Sequence, residues 1–165
     1  MSKTKSRPSG GKTAPVKDLI KHIVHSELPG DERLPKERQI EIAEFLIEAA
    51  ENRPEKTAAI TIASVPEGRR GTRIALINDD MPFLVDSIAS TLAEFDLVAD
   101  TLIHPVIPVD RDKEGNLKAL RKDGSSSHEE SFIYVEAPRV DGAHRHQIEE
   151  ALRTTLGELS HQPAR

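Results

Sequence analysis

Asn78-Asp79-Asp80-Met81-Pro82-Phe83-Leu84-Val85-Asp86-Ser87 decides the fold, because a strand-like segment runs into it and a helix-like segment leaves it. Upstream, Thr72-Arg73-Ile74-Ala75-Leu76-Ile77 is short, apolar and rich in β-branched residues, as a strand requires. Downstream, Leu84, Val85, Ile88, Ala89, Leu92 and Phe95 recur with helical period, which places a helix over about 82–95. At the join, Asp79 or Asp80 is positioned to accept hydrogen bonds from the free amides of the first turn, and Pro82 brings a preset φ where no backbone donor is missed. Amides exposed at such a helix start make a seat for an anion.

Working outward, Thr57 to Val65 reads as a strand, and the turn formers between Pro66 and Gly71 close it into an antiparallel hairpin with strand 72–78. Beyond the central helix, Val98 to Val109 is extended, but Pro105 and Pro108 remove two ladder donors; an edge strand or a bulged one is expected. Asp112-Lys113-Glu114-Gly115-Asn116 is a turn, Leu117 to Leu120 folds back as a short hairpin arm, and 121–129 is a flexible loop. Ser131 to Val135 is apolar at consecutive positions, the pattern of a strand central in its sheet. Asp141 caps a last helix over about 142–160 with Ile148, Leu152, Leu156 and Leu159 on one stripe, its end weakened by Gly157.

From strand 72–78 onward the order is strand, helix, strand, strand, helix, a split βαβ sandwich without its final strand. Strand 58–65 fills the vacant place, antiparallel to strand 72–78. The fold class is therefore α+β: a ferredoxin-like antiparallel sheet with two helices on one face, plus an N-terminal helix. Residues 1–15, rich in Ser, Gly, Pro and Lys, form a disordered basic tail. Residues 16–56 form an N-terminal helical segment, a weak helix near 16–28 and a stronger one near 36–52 after Pro35. The α+β domain occupies 57–160, and 161–165 frays.

Composition limits the chemistry. The 165 residues include no cysteine, which fits a reducing cytosol and excludes thiolate nucleophiles and thiolate metal sites. No apolar run approaches the ~20 residues of a membrane span. Of the net charge of -5, the tail contributes Lys3, Lys5, Arg7 and Lys12 without an acid, leaving -9 for the rest. So acidic a body argues against a nucleic-acid surface. Gly11-Lys12-Thr13 lacks the first glycine of a phosphate loop and a preceding strand, and His22 with His25 lacks a carboxylate companion; neither supports a site, and no metal is expected. His104, ahead of Pro105, reads as a hydrogen-bonded residue fixing strand geometry rather than a base. His144, Arg145 and His146 crowd a helix start, where neutral histidines or a bound anion fit. The carboxylate of Asp86 favours its helix dipole.

Taken together, residues 78–87, Ile103-His104-Pro105-Val106, Asp112-Lys113-Glu114-Gly115 and Glu130-Ser131-Phe132-Ile133-Tyr134-Val135-Glu136 resemble the N-terminal region of the large bacterial NAD-specific glutamate dehydrogenase, in that order and over about 36–160. The resemblance implies an ACT-like domain associated with allosteric regulation in amino acid catabolism, cytoplasmic, lying far upstream of the dehydrogenase domain. It implies Pro82, Asp86, Ser87, His104 and Pro105 as structural signature, and Asp79, Asp80, Met81, Phe83 and Leu84 as the place where an effector would bind. Many amino-acid-binding ACT domains resemble Asp-x-Pro-Gly here; Phe83 stands in place of that glycine, which favours a packing contact over a ligand. No glycine pattern of a dinucleotide site is present, so the resemblance places NAD, and the oxidation of glutamate to 2-oxoglutarate, elsewhere in the longer enzyme. The expectation is a non-catalytic regulatory or assembly domain, an N-terminal fragment whose partners are catalytic dehydrogenase domains of the same or a neighbouring chain, with a homo-oligomer open. The alternative is a free-standing module that senses an amino acid.

Overall fold

The computed structural model describes residues 9–26, 34–66, 71–121 and 128–160, the side chains of 9–13 and 25–26 excepted. Residues 1–8 of the expected tail, 122–127 of the expected loop, His25 as a side chain and the expected frayed end at 161–165 lie outside them. In chain order the elements are α1 (Ser9–Ser26), α2 (Lys36–Ala50), β1 (Ala59–Ser64), β2 (Thr72–Asp79), α3 (Leu84–Ala93), β3 (Thr101–Ile103), β4 (Val106–Arg111), β5 (Leu117–Leu120), β6 (Glu129–Ala137) and α4 (Gly142–Ser160).

The strands form one antiparallel sheet in the order β1-β2-β6-β4-β5, with β3 also paired to β6. Strand β1 fills the vacant edge position beside β2, with Ala59 opposite Ile77 and Ser64 opposite Thr72. Strand β6 is central, and Phe132, Ile133, Tyr134 and Val135 are all fully buried because helices cover both faces. The segment expected as one proline-bearing edge strand is two pieces, β3 and β4, interrupted at His104-Pro105. Only β3 stays at the edge, since β5 pairs with the end of β4.

Two cores result from strict alternation along the strands. One face carries Ile74, Leu76, Ile133 and Val135 against Ile88 and Leu92 of α3 and Ile148, Leu152 and Leu156 of α4. The other carries Ala75, Ile77, Phe132 and Tyr134 against Ile42, Phe45 and Leu46 of α2, with Leu19 and Ile23 of α1 behind. The two helices expected on one face are α3 and α4; the N-terminal helices close the opposite face. Each fully buried Leu or Ile on α1 and α2 contributes about 1.5–3 kcal/mol, which is why this segment joins the sheet. It also explains a correction: α1 begins at Ser9, inside the stretch expected to be disordered. Once Leu19 and Ile23 dock, adding turns toward the N-terminus needs no further nucleation, and Pro15 forfeits only one helical hydrogen bond.

The β4–β5 turn is tied to the end of α2. Arg53 N donates to Gly115 O at 2.9 Å, Leu117 N to Glu51 O at 2.9 Å, and Asn52 Nδ2 to Asn116 Oδ1 at 2.9 Å. Gly115 has φ +91°, and a Cβ there would lie 2.4 Å from Arg53 O. Gly115→Ala is therefore expected to lower stability by about 2 kcal/mol or more in chemical denaturation, whereas Gly157→Ala, where a Cβ meets nothing within 4 Å, should be neutral or stabilising. Equal effects at the two positions would contradict this reading.

Among the described residues, no helix is long and apolar enough to cross a membrane.

Candidate functional site

The strand–helix join departs from expectation in three ways. First, α3 begins at Leu84 rather than Pro82, and no side chain caps it; neither Asp79 nor Asp80 does so, because distant partners take both carboxylates. Second, Phe83 occupies the N-cap with φ 65° and ψ 14°, the left-handed region, where a bulky side chain costs on the order of 1–3 kcal/mol. Third, Phe83 is 72% exposed, so its ring faces solvent rather than packing within the domain. Beside it Pro82 and Asp86 are exposed and Met81 is partly buried, while Leu84 is buried in the α3–α4 core. The turn thus presents Met81-Pro82-Phe83 as an apolar prow, with Ser87 N donating to Phe83 O at 2.9 Å behind it.

Asp79 sits directly opposite Glu130 across β2 and β6. Like charges so placed repel, and Glu130 is fully buried. Arg53, 3% exposed, resolves the conflict: its Nη1 donates to Asp79 Oδ1 at 2.9 Å and to Glu130 Oε2 at 2.7 Å. Arg111 grips Glu130 from the other side, Nε to Oε2 at 2.9 Å and Nη2 to Oε1 at 3.0 Å, and its Nη1 also donates to the carbonyls of Ala50 and Gly115. His128 Nε2 lies 2.9 Å from Glu130 Oε2. Burial pushes the Glu130 carboxyl up, but the Arg111 hydrogen bonds and the charges of Arg111 and Arg53 outweigh it and hold the group below its ordinary 4.5.

Asp79, His128 and Glu130 bring ligand atoms within 4.8 Å of one another. Arg53 Nη1 nevertheless bonds to both carboxylates, so a guanidinium already stands where a cation would, and Arg111 adds a second positive charge. The cluster is an ion-pair network rather than a metal seat.

A shorter chain lies on the other side of the same strands. Ser131 Oγ donates to Asp80 Oδ1 at 2.9 Å, so His104 Nε2, 2.9 Å from that oxygen, must carry a proton and donate to it. Burial keeps His104 below its ordinary 6.5, against the raising effect of Asp80. Ser131 is fully buried, and its proton points to a carboxylate rather than to a base, so the trio cannot generate a nucleophile. It fixes the β3–β4 break against β6 and the turn, the role expected of His104 before Pro105. Elsewhere, Asp141 caps α4 as expected, accepting from His144 N at 3.0 Å, and His146 pairs with Glu150 at 3.1 Å. His22 donates to the Arg121 carbonyl at 3.2 Å.

Of the residues singled out in the sequence, the fold gathers Asp79, Asp80 and His104 around β6 and leaves Phe83 outward. It adds Arg53, Arg111, His128, Glu130 and Ser131. The available signal was Glu130-Ser131, polar at the head of a run that is otherwise apolar.

Both lowered groups predict acid lability with a definite sign. Each binds protons more weakly when folded, so its stabilisation is present above its ordinary value and is lost as pH falls. Loss is expected to begin below about pH 6.5 through His104 and to deepen below about 4.5 through Glu130. Melting temperature measured across pH should show both limbs, and His104→Asn should remove the upper one. Glu130→Gln is expected to cost about 3–5 kcal/mol by leaving two buried guanidinium groups short of a counter-charge; a change under about 1 kcal/mol would refute the network.

The family model described as "Glutamate dehydrogenase, ACT1 domain" matches residues 19–152. The "NAD-specific glutamate dehydrogenase" of Pseudomonas aeruginosa is 33% identical over 92 residues, covering 53% of this chain and 6% of that protein. The chain thus aligns with a small part of that relative's length. No solved structure matches the chain.

Proposed function

Because the chain belongs to the glutamate dehydrogenase ACT1 domain family, we propose that it is a non-catalytic regulatory and assembly domain of an NAD-specific glutamate dehydrogenase, working in the cytoplasm. Its partners on this reading are catalytic dehydrogenase domains, in the same polypeptide or a neighbouring one. The observation that carries the proposal is Phe83, held at φ 65° and 72% exposed. A strained, solvent-facing aromatic that follows a methionine and an exposed proline is costly for a domain on its own and useful as an anchor in a pocket of a partner. The hydrogen bonds of Asp79 to Arg53 and of Asp80 to Ser131 support the same reading, because they stiffen the turn.

NAD does not fit the described residues. Its usual cradle is a glycine-rich loop at the carboxyl end of parallel strands, and here every strand pairing is antiparallel. Hydride transfer from glutamate is therefore assigned to the remainder of the longer enzyme. On this reading the turn serves as a contact surface rather than as the seat of an amino-acid effector.

The chain alone, supplied with glutamate and NAD, is expected to produce no NADH absorbance. Mixed with the dehydrogenase segment encoded with it, the chain should co-sediment. Phe83→Gly should weaken that association by about tenfold or more while raising the chain's own stability by on the order of 1 kcal/mol, since glycine adopts this φ without strain. NADH formation by the chain alone, or association unchanged by the substitution, contradicts the proposal.

A further inference from the structure

Strand β1 ends the sheet: it pairs with β2, and among the described residues no strand pairs with its other side. The ladder fixes which backbone groups that side presents. Val65 N donates to Gly71 O at 3.0 Å, one step beyond the pair of Ser64 with Thr72, so Ala63, Thr61 and Ala59 direct their amides and carbonyls to β2. By the alternation of an antiparallel ladder, Ile60, Ile62 and Ser64 direct theirs outward.

This edge lacks the usual protection. Exposed ladder groups attract another strand unless a charge, a proline or a bulge intervenes. The strand at the other end of the sheet, β5, carries the exposed Lys118. Ala59-Ile60-Thr61-Ile62-Ala63-Ser64 carries no charge, proline or glycine, and its register with β2 is unbroken. Helix α4 guards only the two ends: Arg153 Nη1 donates to Ala58 O at 2.9 Å, and Arg145 Nη2 to Ser64 Oγ at 2.7 Å. Between them the outward groups of Ile60 and Ile62 stay open.

The open stretch reads the same in both directions. Ala59-Ile60-Thr61-Ile62-Ala63 is a palindrome centred on Thr61, and a twofold contact requires this kind of self-complementarity. We propose that two copies of this chain pair antiparallel through β1, with Thr61 against Thr61 on the twofold axis, and so join their sheets into one. In that register Ile60 of each copy faces Ile62 of the other, and each such pair exchanges both of its hydrogen bonds. Ile60 is buried on the α4 face and Ile62 is half-buried beside it, so pairing covers the remaining Ile62 surface with isoleucine. Thr61 is exposed on the other face, and two threonines make a favourable cross-strand pair. Ala58 falls opposite Ser64, which brings Arg153 toward Arg145 of the second copy; Glu149, bonded to Arg153 at 3.1 Å, offsets the added charge. The contact makes no use of the Met81-Pro82-Phe83 turn and does not depend on the role given to it.

The chain has no cysteine, so single cysteine substitutions report the register. In the full chain under mild oxidation, Thr61→Cys should give a disulfide-linked dimer, because Cα atoms paired on the axis lie about 4.5 Å apart, within the span of a disulfide. Ser64→Cys, also exposed, would sit about 20 Å from its counterpart and should cross-link at least about tenfold more slowly. Sedimentation of the native chain should show a dimer with Kd of about 100 μM or tighter. Thr61→Lys and Thr61→Glu should each be monomeric, since like charges then stand directly opposite, and mixing the two should restore a dimer. Phe83→Gly should dimerise as the native chain does, so a failed turn contact leaves this result untouched. Equal cross-linking rates at the two cysteine positions, a native chain that stays monomeric, a dimer that survives both charged substitutions, or one lost with Phe83→Gly, overturns the proposal.

Discussion

A carboxylate buried completely at the head of the central strand constrains this whole molecule. Glu130 stands opposite the half-buried Asp79, and two carboxylates so placed repel unless cations separate them. Arg53 and Arg111 do so, and each also ties down backbone: Arg53 Nε donates to Thr57 O at 2.7 Å, and Arg111 to the carbonyls of Ala50 and Gly115. One ion cluster therefore joins the end of α2, the approach to β1, the end of β2, the β4–β5 turn and the start of β6. The N-terminal helices are thereby part of the sheet's support as well as its cover.

What this support positions is the turn. With Asp79 and Asp80 held from opposite faces of the sheet, the chain must reverse into α3 within a few residues, and a left-handed residue makes that reversal. Glycine would make it without strain; here Phe83 does, with its ring outward. A rigid base under an exposed aromatic is the arrangement of a contact element, and it suits a domain that acts through association better than one that closes on a ligand.

Much of the fold was legible in the sequence because it rests on local period. The strand before Asn78, the helical stripe from Leu84, the consecutive apolar run at Phe132 to Val135 and the strand supplied by 58–65 all follow from spacing and turn residues. The candidate site was less legible, because its contacts are not local. Arg53 and Glu130 are 77 positions apart, and no periodicity pairs them. The capping role expected of Asp79 and Asp80 failed for the same reason: a carboxylate beside free helix amides is a good cap only when no arginine or serine from elsewhere competes for it. Phe83 could be recognised as unusual for its position, but whether it faced inward or outward depended on how the turn was held from beneath.

The ionisation of Glu130 tests this account most directly. Carbon-detected NMR titration of its side-chain carboxyl in the intact chain should give a midpoint below the ordinary 4.5, with protonation coinciding with loss of the folded spectrum. A midpoint above 4.5 would mean that burial outweighs the two arginines, that Glu130 is held neutral, and that the turn is not organised by this ion cluster.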